Sequence, residues 1–261
     1  MTEASNVVWD PERYKCGNYF QNEVSNAFRA TFNVEPYGAI LDIGCGDGQY
    51  SRLLADTLKP GRILAIDSSQ DMVRHANHHW ASENLSFEVH CIEEFQPVIE
   101  FDVVLSFWCL HWTNINASFP NIFRALKPGG RMYAVFSSFS DNSILQTWAE
   151  LVQQDRYREL TDRYTHTRDQ RENYFFQVVN TLNQLPFKHV KLNLHTTRTY
   201  LPSIDYFKNL LLTMPFMKTF SIEIIDSLID DMLAIFQARC ETYYGGKLYY
   251  ETRPIFLEAI K

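Results

Sequence analysis

The sequence predicts an α/β domain with a seven-stranded, mostly parallel sheet, an antiparallel last strand and helical inserts. Three observations carry that prediction. Ile40 to Ala55 (ILDIGCGDGQYSRLLA) reads as a buried strand, a tight glycine loop and a helix start. Short apolar runs then alternate with segments of helical period as far as Phe136, an order that implies parallel strands with right-handed crossovers. After Ser137 the alternation gives way to longer helical stretches with two late strands.

Each element has its own signal. Residues 1–11 are polar. Phe20, Val24, Ala27, Phe28 and Thr31 recur at three- and four-residue spacing, which predicts a helix ahead of the first core strand. Pro36, Tyr37 and Gly38 break it before Ala39. The helix after the glycine loop runs from Tyr50 to Leu58, with Leu53, Leu54 and Leu58 assigned to one face, and stops at Lys59-Pro60-Gly61. Arg62 to Asp67 (RILAID) is a second strand that ends in an acid. Ser68, Ser69 and Asp71 form a capping signal for a helix with the stripe Met72, Val73, Ala76 and Trp80. Leu85 to Ile92 is the third strand. Phe101 to Phe107 (FDVVLSF) is the fourth, apolar enough to be covered on both faces. Ile115, Phe119, Ile122, Phe123 and Leu126 have helical spacing, Lys127-Pro128-Gly129-Gly130 ends that helix, and Arg131 to Phe136 is the fifth strand.

Beyond it, Ser137 to Leu185 reads as mostly helical, with charge concentrated from Asp155 to Glu172. Val190, Leu192 and Leu194 alternate with Lys191, Asn193 and His195, the pattern of a one-sided antiparallel strand, ended by Pro202. Residues 203–244 read as two or three helices, and Ile225, Leu228, Ile229, Met232 and Phe236 mark the clearest stripe. Ile255 to Ile260 is the last strand. The expectation is one domain over residues 1–261. Inserts at about 140–175 and 203–244 serve in it as lids over the edge of the sheet where open α/β sheets bind ligands.

Composition narrows the function. The 261 residues are 46% hydrophobic, enough for a sizeable core. A net charge of −7 with no basic block argues against a nucleic-acid partner. Cys16, Cys45, Cys91, Cys109 and Cys240 are odd in number and form no CxxC, which predicts reduced thiols in a cytoplasmic protein. The N-terminal residues lack a signal-peptide core, and no apolar run approaches membrane-spanning length, so no membrane partner is expected. His75, His78 and His79 have a spacing that can place a metal, but without a neighbouring carboxylate or thiol they read as a solvated face, and no metal site is expected.

The glycine loop is the centre of the functional argument. Gly44, Gly46 and Gly48 have no Cβ, so the loop can turn sharply and let a ligand meet the backbone. The free N–H groups of the following helix favour a carboxylate or phosphate. Asp67, at the end of the next strand, is placed to accept both hydroxyls of a ribose. Loop plus acid fits dinucleotides and S-adenosylmethionine alike. A dinucleotide loop has the form G-x-G-x-x-G, and here Gln49 occupies the third glycine position, where its side chain would crowd the pyrophosphate.

The form Asp42-x-Gly44-x-Gly46-x-Gly48, Cys45 included, instead resembles motif I of the class I S-adenosylmethionine-dependent methyltransferases. IDSSQDMV at 66–73 resembles the family's ribose-binding segment, with Asp67, Ser68 and Met72 as cofactor contacts, Met72 beside the adenine. FDVVLSF resembles its fourth strand, whose end, Ser106 and Phe107, meets the methionine moiety. LKPGGRMYAVF at 126–136 resembles its turn into the fifth strand. These signatures cover about 100 residues, and the fold they imply is Rossmann-like. After the third strand the family usually has an acid that reaches the adenine amino group. Here Cys91 holds that place, followed by Ile92 and Glu93, and Glu93 or backbone groups stand in for it.

The acceptor is read from SFWCLHW at 106–112, either strand-end aromatics packed under a lid or a substrate wall. The string resembles the same segment of juvenile hormone acid methyltransferases and is similar in position to that of trans-aconitate and malonyl-acyl-carrier-protein methyltransferases, all of which act on carboxylates. Tyr14, Asn18 and Gln21 match the Y-x-x-x-N-x-x-Q pattern near the N-terminus of the juvenile hormone enzymes. The resemblance implies that Gln21 and Trp112 hold a substrate carboxylate, while His111 is a general base or a packing residue. The expected reaction is in-line methyl transfer to a small-molecule oxygen. A carboxylate with a pKa of about 4 needs no base for it. A nicotinamide-dependent oxidoreductase, a methyltransferase acting on a phenol or amine, and a non-catalytic cofactor-binding protein are the alternatives.

Overall fold

The computed structural model describes residues 14, 16–33, 38–59, 61–160, 173–214, 217 and 220–261. The expected break at Pro36 and Tyr37, the stop at Pro60, and much of the charged stretch up to Glu172 lie outside the described residues, as do residues 1–13.

Helix α1 (Tyr19–Arg29) precedes strand β1 (Ala39–Ile43). Then come α2 (Gln49–Leu58), β2 (Arg62–Asp67), α3 (Gln70–Trp80), β3 (Leu85–Val89) and β4 (Phe101–Phe107). Helix α4 (Ile115–Ala125) leads straight into β5 (Leu126–Ser137). The second half holds α5 (Ser143–Leu151), α6 (Tyr174–Asn183), β6 (His189–Leu194), β7 (Thr197–Tyr200), α7 (Ile204–Thr213), α8 (Ile222–Tyr244), β8 (Tyr249–Thr252) and β9 (Pro254–Ile260). The main sheet has the order β3-β2-β1-β4-β5-β9-β6. Strands β1 to β5 pair in parallel, and β9 is antiparallel to both its neighbours. The seven-stranded, Rossmann-like sheet with an antiparallel last strand is as the sequence predicts.

Strand β1 alternates between two cores. Ile40 joins Leu54, Ala55 and Leu58 of α2 and Val73 and Ala76 of α3 on one face. Leu41 and Ile43 join Ile115, Phe119 and Ile122 of α4 and Val178 and Leu182 of α6 on the other. Each Val, Leu, Ile or Phe side chain among them, taken fully out of water, contributes roughly 1.5–3 kcal/mol. A third cluster gathers α1, α5, α7 and α8 around Phe20, Val24, Trp148, Phe207 and Phe236, and reaches the sheet at Val135 and Phe256.

Several local readings need correction. Leu53 does not share the buried face of Leu54 and Leu58: it is 43% exposed, because adjacent residues on a helix point about 100° apart. Strand β3 ends at Val89, so residues 90–92 lie in the turn beyond it. Helix α4 ends at Ala125, and the Lys127–Gly130 turn sits inside the irregular start of β5, where the register shifts against β4. Strand β6 is antiparallel to its partner β9, yet it runs in the direction of the first five strands, because β9 is inserted between it and β5. The sequence reading missed β7 and β8, which pair with each other in a separate two-stranded sheet. Over 203–244 the described residues form two helices.

Candidate functional site

The site forms where the strand order reverses, between β1 and β4, at the ends of β1, β2 and β4. The loop after β1 is pinned from behind: the Gly44 and Cys45 N–H groups both donate to the Ile66 carbonyl, at 2.8 and 3.0 Å. Gly44, Gly46 and Gly48 all have left-handed backbone, with φ of 76°, 55° and 82°. A Cβ on Gly44 would stand 2.2 Å from Cβ of Cys109, and one on Gly48 would stand 2.5 Å from Cβ of Ala76. Close packing therefore demands glycine at both ends of the loop. Gly46 differs, since a Cβ there would meet only the Tyr14 ring, at 3.5 Å.

Asp67 ties this loop to the start of α3. One carboxylate oxygen accepts from the Gly46 N–H at 3.0 Å, the other from the Ser69 N–H at 2.9 Å. Burial raises its pKa, and the backbone donors Ser69, Gly46 and Ser68 pull the other way. Ser69 caps α3 by accepting from the Met72 N–H, Met72 is buried beneath the turn, and Ser68 is exposed. Asp42 is 4% exposed and accepts from the Ser51 hydroxyl at 2.6 Å. Burial pushes its pKa up to about 6; the Ser51 bond opposes this, and the Asp67 charge adds to it. Burial also holds the Cys45 and Cys109 thiols well above their usual range, so both are protonated and poor nucleophiles.

The turn after β3 is built from its own groups. The Cys91 thiol donates to one Glu93 carboxylate oxygen at 2.8 Å, and the Asn114 N–H donates to the other. The buried Asn121 amide donates to the carbonyls of Ile92 and Glu93. At the end of β4, buried Ser106 donates to the Ile43 carbonyl and so ties β4 to β1. Phe107 meets Tyr50 edge-on at 5.2 Å.

A cavity of about 230 Å³ lies between α1, the glycine loop and the start of α2. Gln21 lines it, with Asn18, Asn22, Ser25 and Asn26 from the same face of α1. Asp42, Gly44, Cys45, Asp47, Tyr50, Leu53, Phe107 and Trp108 line it too. Among the described residues its charged lining groups, Asp42 and Asp47, are both acidic. His111 and Trp112 are not among the lining residues. They form a short turn with Leu110, where His111 Nδ1 accepts from the Ser137 N–H at 3.3 Å and the ring lies 4.9 Å from Trp112 and 5.6 Å from Phe139.

The sequence reading thus brings Gln21 to the glycine loop but not Trp112. It gave no site role to Asn22, Ser25, Asn26 and Tyr50. The signal for the first three is present: with Asn18 they fill the polar face left by Phe20, Val24 and Phe28, at helical spacing. His75, His78 and His79 pack ring against ring on α3, outside the cavity. Among the described residues no helix is long and apolar enough to cross a membrane.

Residues 40–130 match a family model described as a methyltransferase domain. The chain is 29% identical over 178 residues to the malonyl-[acyl-carrier protein] O-methyltransferase of Herminiimonas arsenicoxydans, covering 66% of this chain and 61% of that protein. It is 33% identical over 133 residues to the juvenile hormone acid O-methyltransferase of Drosophila melanogaster, covering 46% and 42%. Against these curated relatives it thus spans between two fifths and three fifths of their length. Its fold is similar to that of phosphoethanolamine N-methyltransferase 2 of Haemonchus contortus, solved with S-adenosyl-L-methionine, at a TM-score of 0.58 and 18% identity over 97% of this chain and 57% of that one.

Proposed function

From the membership of this chain in the class I S-adenosylmethionine-dependent methyltransferases, we propose that it methylates an oxygen of a small-molecule carboxylate. One observation carries the cofactor half of this reading. The Asp67 carboxylate is held against the Gly46 N–H, beside a cavity whose charged groups, among the described residues, are acidic and whose lining includes the rings of Tyr14, Tyr50 and Phe107. Acids and aromatic faces suit a sulfonium cation, to which a ring contributes on the order of 0.5–2 kcal/mol. S-adenosylmethionine supplies the activated methyl group. The residues fit it: Gly46 has no side chain to bar a ligand from the loop, Asp67 keeps lone pairs for ribose hydroxyls beyond its backbone donors, and Met72 and Ile92 are apolar neighbours for an adenine.

The acceptor half is supported by the relatives named for carboxyl substrates and by the amide face of α1. Gln21 and Asn18 bring neutral amides to a cavity whose charged lining groups, among the described residues, are acidic. Amide donors can hold a carboxylate without placing a positive charge beside the sulfonium. In this reading Gln21 and Trp112 are the carboxylate donors, the chain aligns and desolvates an oxygen that is already ionised, and the helical inserts serve as its lid. Nucleic acid plays no part in it, and the cytoplasm is its compartment.

The test is transfer of a labelled methyl group to a panel of carboxylic acids, phenols and amines. Incorporation into acids, with the label released by mild alkali as an ester requires, supports the reading. Alkali-stable incorporation confined to phenols or amines would move the acceptor to another class. Thermal stabilisation by NAD but not by S-adenosylmethionine would remove the cofactor assignment.

A further inference from the structure

Trp108 is tied into the site from three sides, and the sequence pattern gave it no role of its own. It follows β4 with a φ of 60°, a left-handed conformation that strains a bulky residue. Its N–H donates to the Val135 carbonyl at 2.6 Å, which anchors it to β5. Its indole Nε1–H donates to the backbone carbonyl of Gln21 at 3.1 Å, which anchors it to α1. Its ring meets Phe20, on the buried face of α1, edge-on at 5.1 Å, and lines the cavity with Gly44 and Tyr14. Gly or Asn would adopt the same backbone with little strain. A strained Trp persists only where the surrounding contacts over-determine it. Here the two hydrogen bonds and the Phe20 contact run between the sheet edge and the helix that carries the amide face, and the ring also meets His111 edge-on at 6.4 Å.

We propose that Trp108 is a positioning residue: its indole bond to Gln21 fixes how far α1 stands from the end of β4, and thereby sets which acceptor fits beside the glycine loop. This rests on the methyl-transfer reading above. The indole acts through α1, whose Gln21 and Asn18 side chains share the cavity, so it needs no contact with the reacting atoms. Losing the bond while keeping a ring should loosen the wall without emptying it.

The experiment uses Trp108→Phe, which keeps a ring and loses the donor, and Trp108→Asn, which suits the left-handed backbone and covers the case in which the Phe variant does not fold. The first readout is amide hydrogen exchange of the ligand-free protein. Residues 19–29 should exchange at least tenfold faster in the variants, with β1 and β2 unchanged; unaltered protection of α1 overturns the proposal whether or not an acceptor is known. The second is kinetics on the best acceptor from the panel. The acceptor KM should rise about tenfold while kcat and S-adenosylmethionine affinity stay within about threefold, and discrimination between acceptors that differ by one methylene should narrow. A fall in kcat at unchanged KM would instead place the indole on the reacting groups and overturn the positioning role. Wild-type protein that binds no S-adenosylmethionine defeats the functional reading on its own, and the exchange result still decides the part played by Trp108 in holding α1.

Discussion

Asp42 offers the sharpest test of the electrostatics, because its burial opposes its charge. The carboxyl is 4% exposed, has the Ser51 hydroxyl as a donor, and titrates at about 6 against an ordinary 3.8. A folded-state pKa above the unfolded one means that the ionised group costs stability. That displacement corresponds to about 3 kcal/mol at pH 7.5, at 1.36 kcal/mol per unit. The cost is complete above the folded pKa, shrinks to about 1 kcal/mol near pH 4.5 as the folded carboxyl takes up its proton, and vanishes below the unfolded pKa. Asp42→Asn keeps an oxygen for Ser51 and removes the charge. Urea unfolding at pH 7.5 should therefore show the variant more stable by about 1–3 kcal/mol, the lower end allowing for an amide N–H₂ left short of acceptors. The gain should fade between pH 6 and 4. A variant equally stable or less stable at pH 7.5, or a gain that grows on acidification, would refute the burial argument.

Asp67→Ala leaves the Gly46 and Ser69 N–H groups without their carboxylate, and Gly46→Val puts a branched side chain in left-handed backbone where a ligand would meet the loop. Both should bind S-adenosylmethionine at least tenfold more weakly by calorimetry while the fold persists, and wild-type affinity in both would remove the site assignment. If the acceptor is a carboxylate, turnover should be nearly flat from roughly pH 6 to 9, and His111→Asn should cost less than tenfold, because that oxygen titrates well below the window. A steep rise with pH that disappears in His111→Asn would identify a general base. Gln21→Ala and Trp112→Phe should each lower kcat/KM by roughly tenfold to a hundredfold, at about 1.5–3 kcal/mol per bond to a charged acceptor, with cofactor affinity unchanged. Wild-type kinetics in both would refute the clamp.

The sequence made the parallel half of the sheet legible because its strands are short apolar runs and its helices carry clean stripes. It made the glycine loop legible because three left-handed positions leave a visible spacing. Strands β7 and β8 were not legible. Thr197–Tyr200 and Tyr249–Thr252 are short and mixed in polarity, and each finds its partner across some fifty residues of intervening chain, which no local pattern reports. The site was partly legible for a similar reason. The motif singled out Tyr14, Asn18 and Gln21, and all three line the cavity. It preferred Trp112 to Trp108, since spacing alone cannot reveal that the chain turns left-handed at Trp108 and aims that indole at α1. The Leu53 misreading shows the same limit on a smaller scale: two adjacent leucines cannot share one helix face, and the outer one lines the cavity.

The place of β9 has a consequence for how the protein is made. Its residues leave the ribosome after the other six strands of the sheet, yet they sit inside it, with Arg131 facing Ile260 on one side and His189 facing the same residue on the other. Among the described residues β6 has no other strand partner, so it cannot join the sheet until β9 arrives. Strands β1 to β5 and the glycine loop can assemble long before that, during synthesis. Over that interval β5 presents an open edge, and Val190, Leu192 and Leu194 stand without their neighbours. A chain cut before Pro254 would forfeit two strands, not one, and would keep a cofactor loop on a half-built sheet whose raw edge invites pairing with other chains.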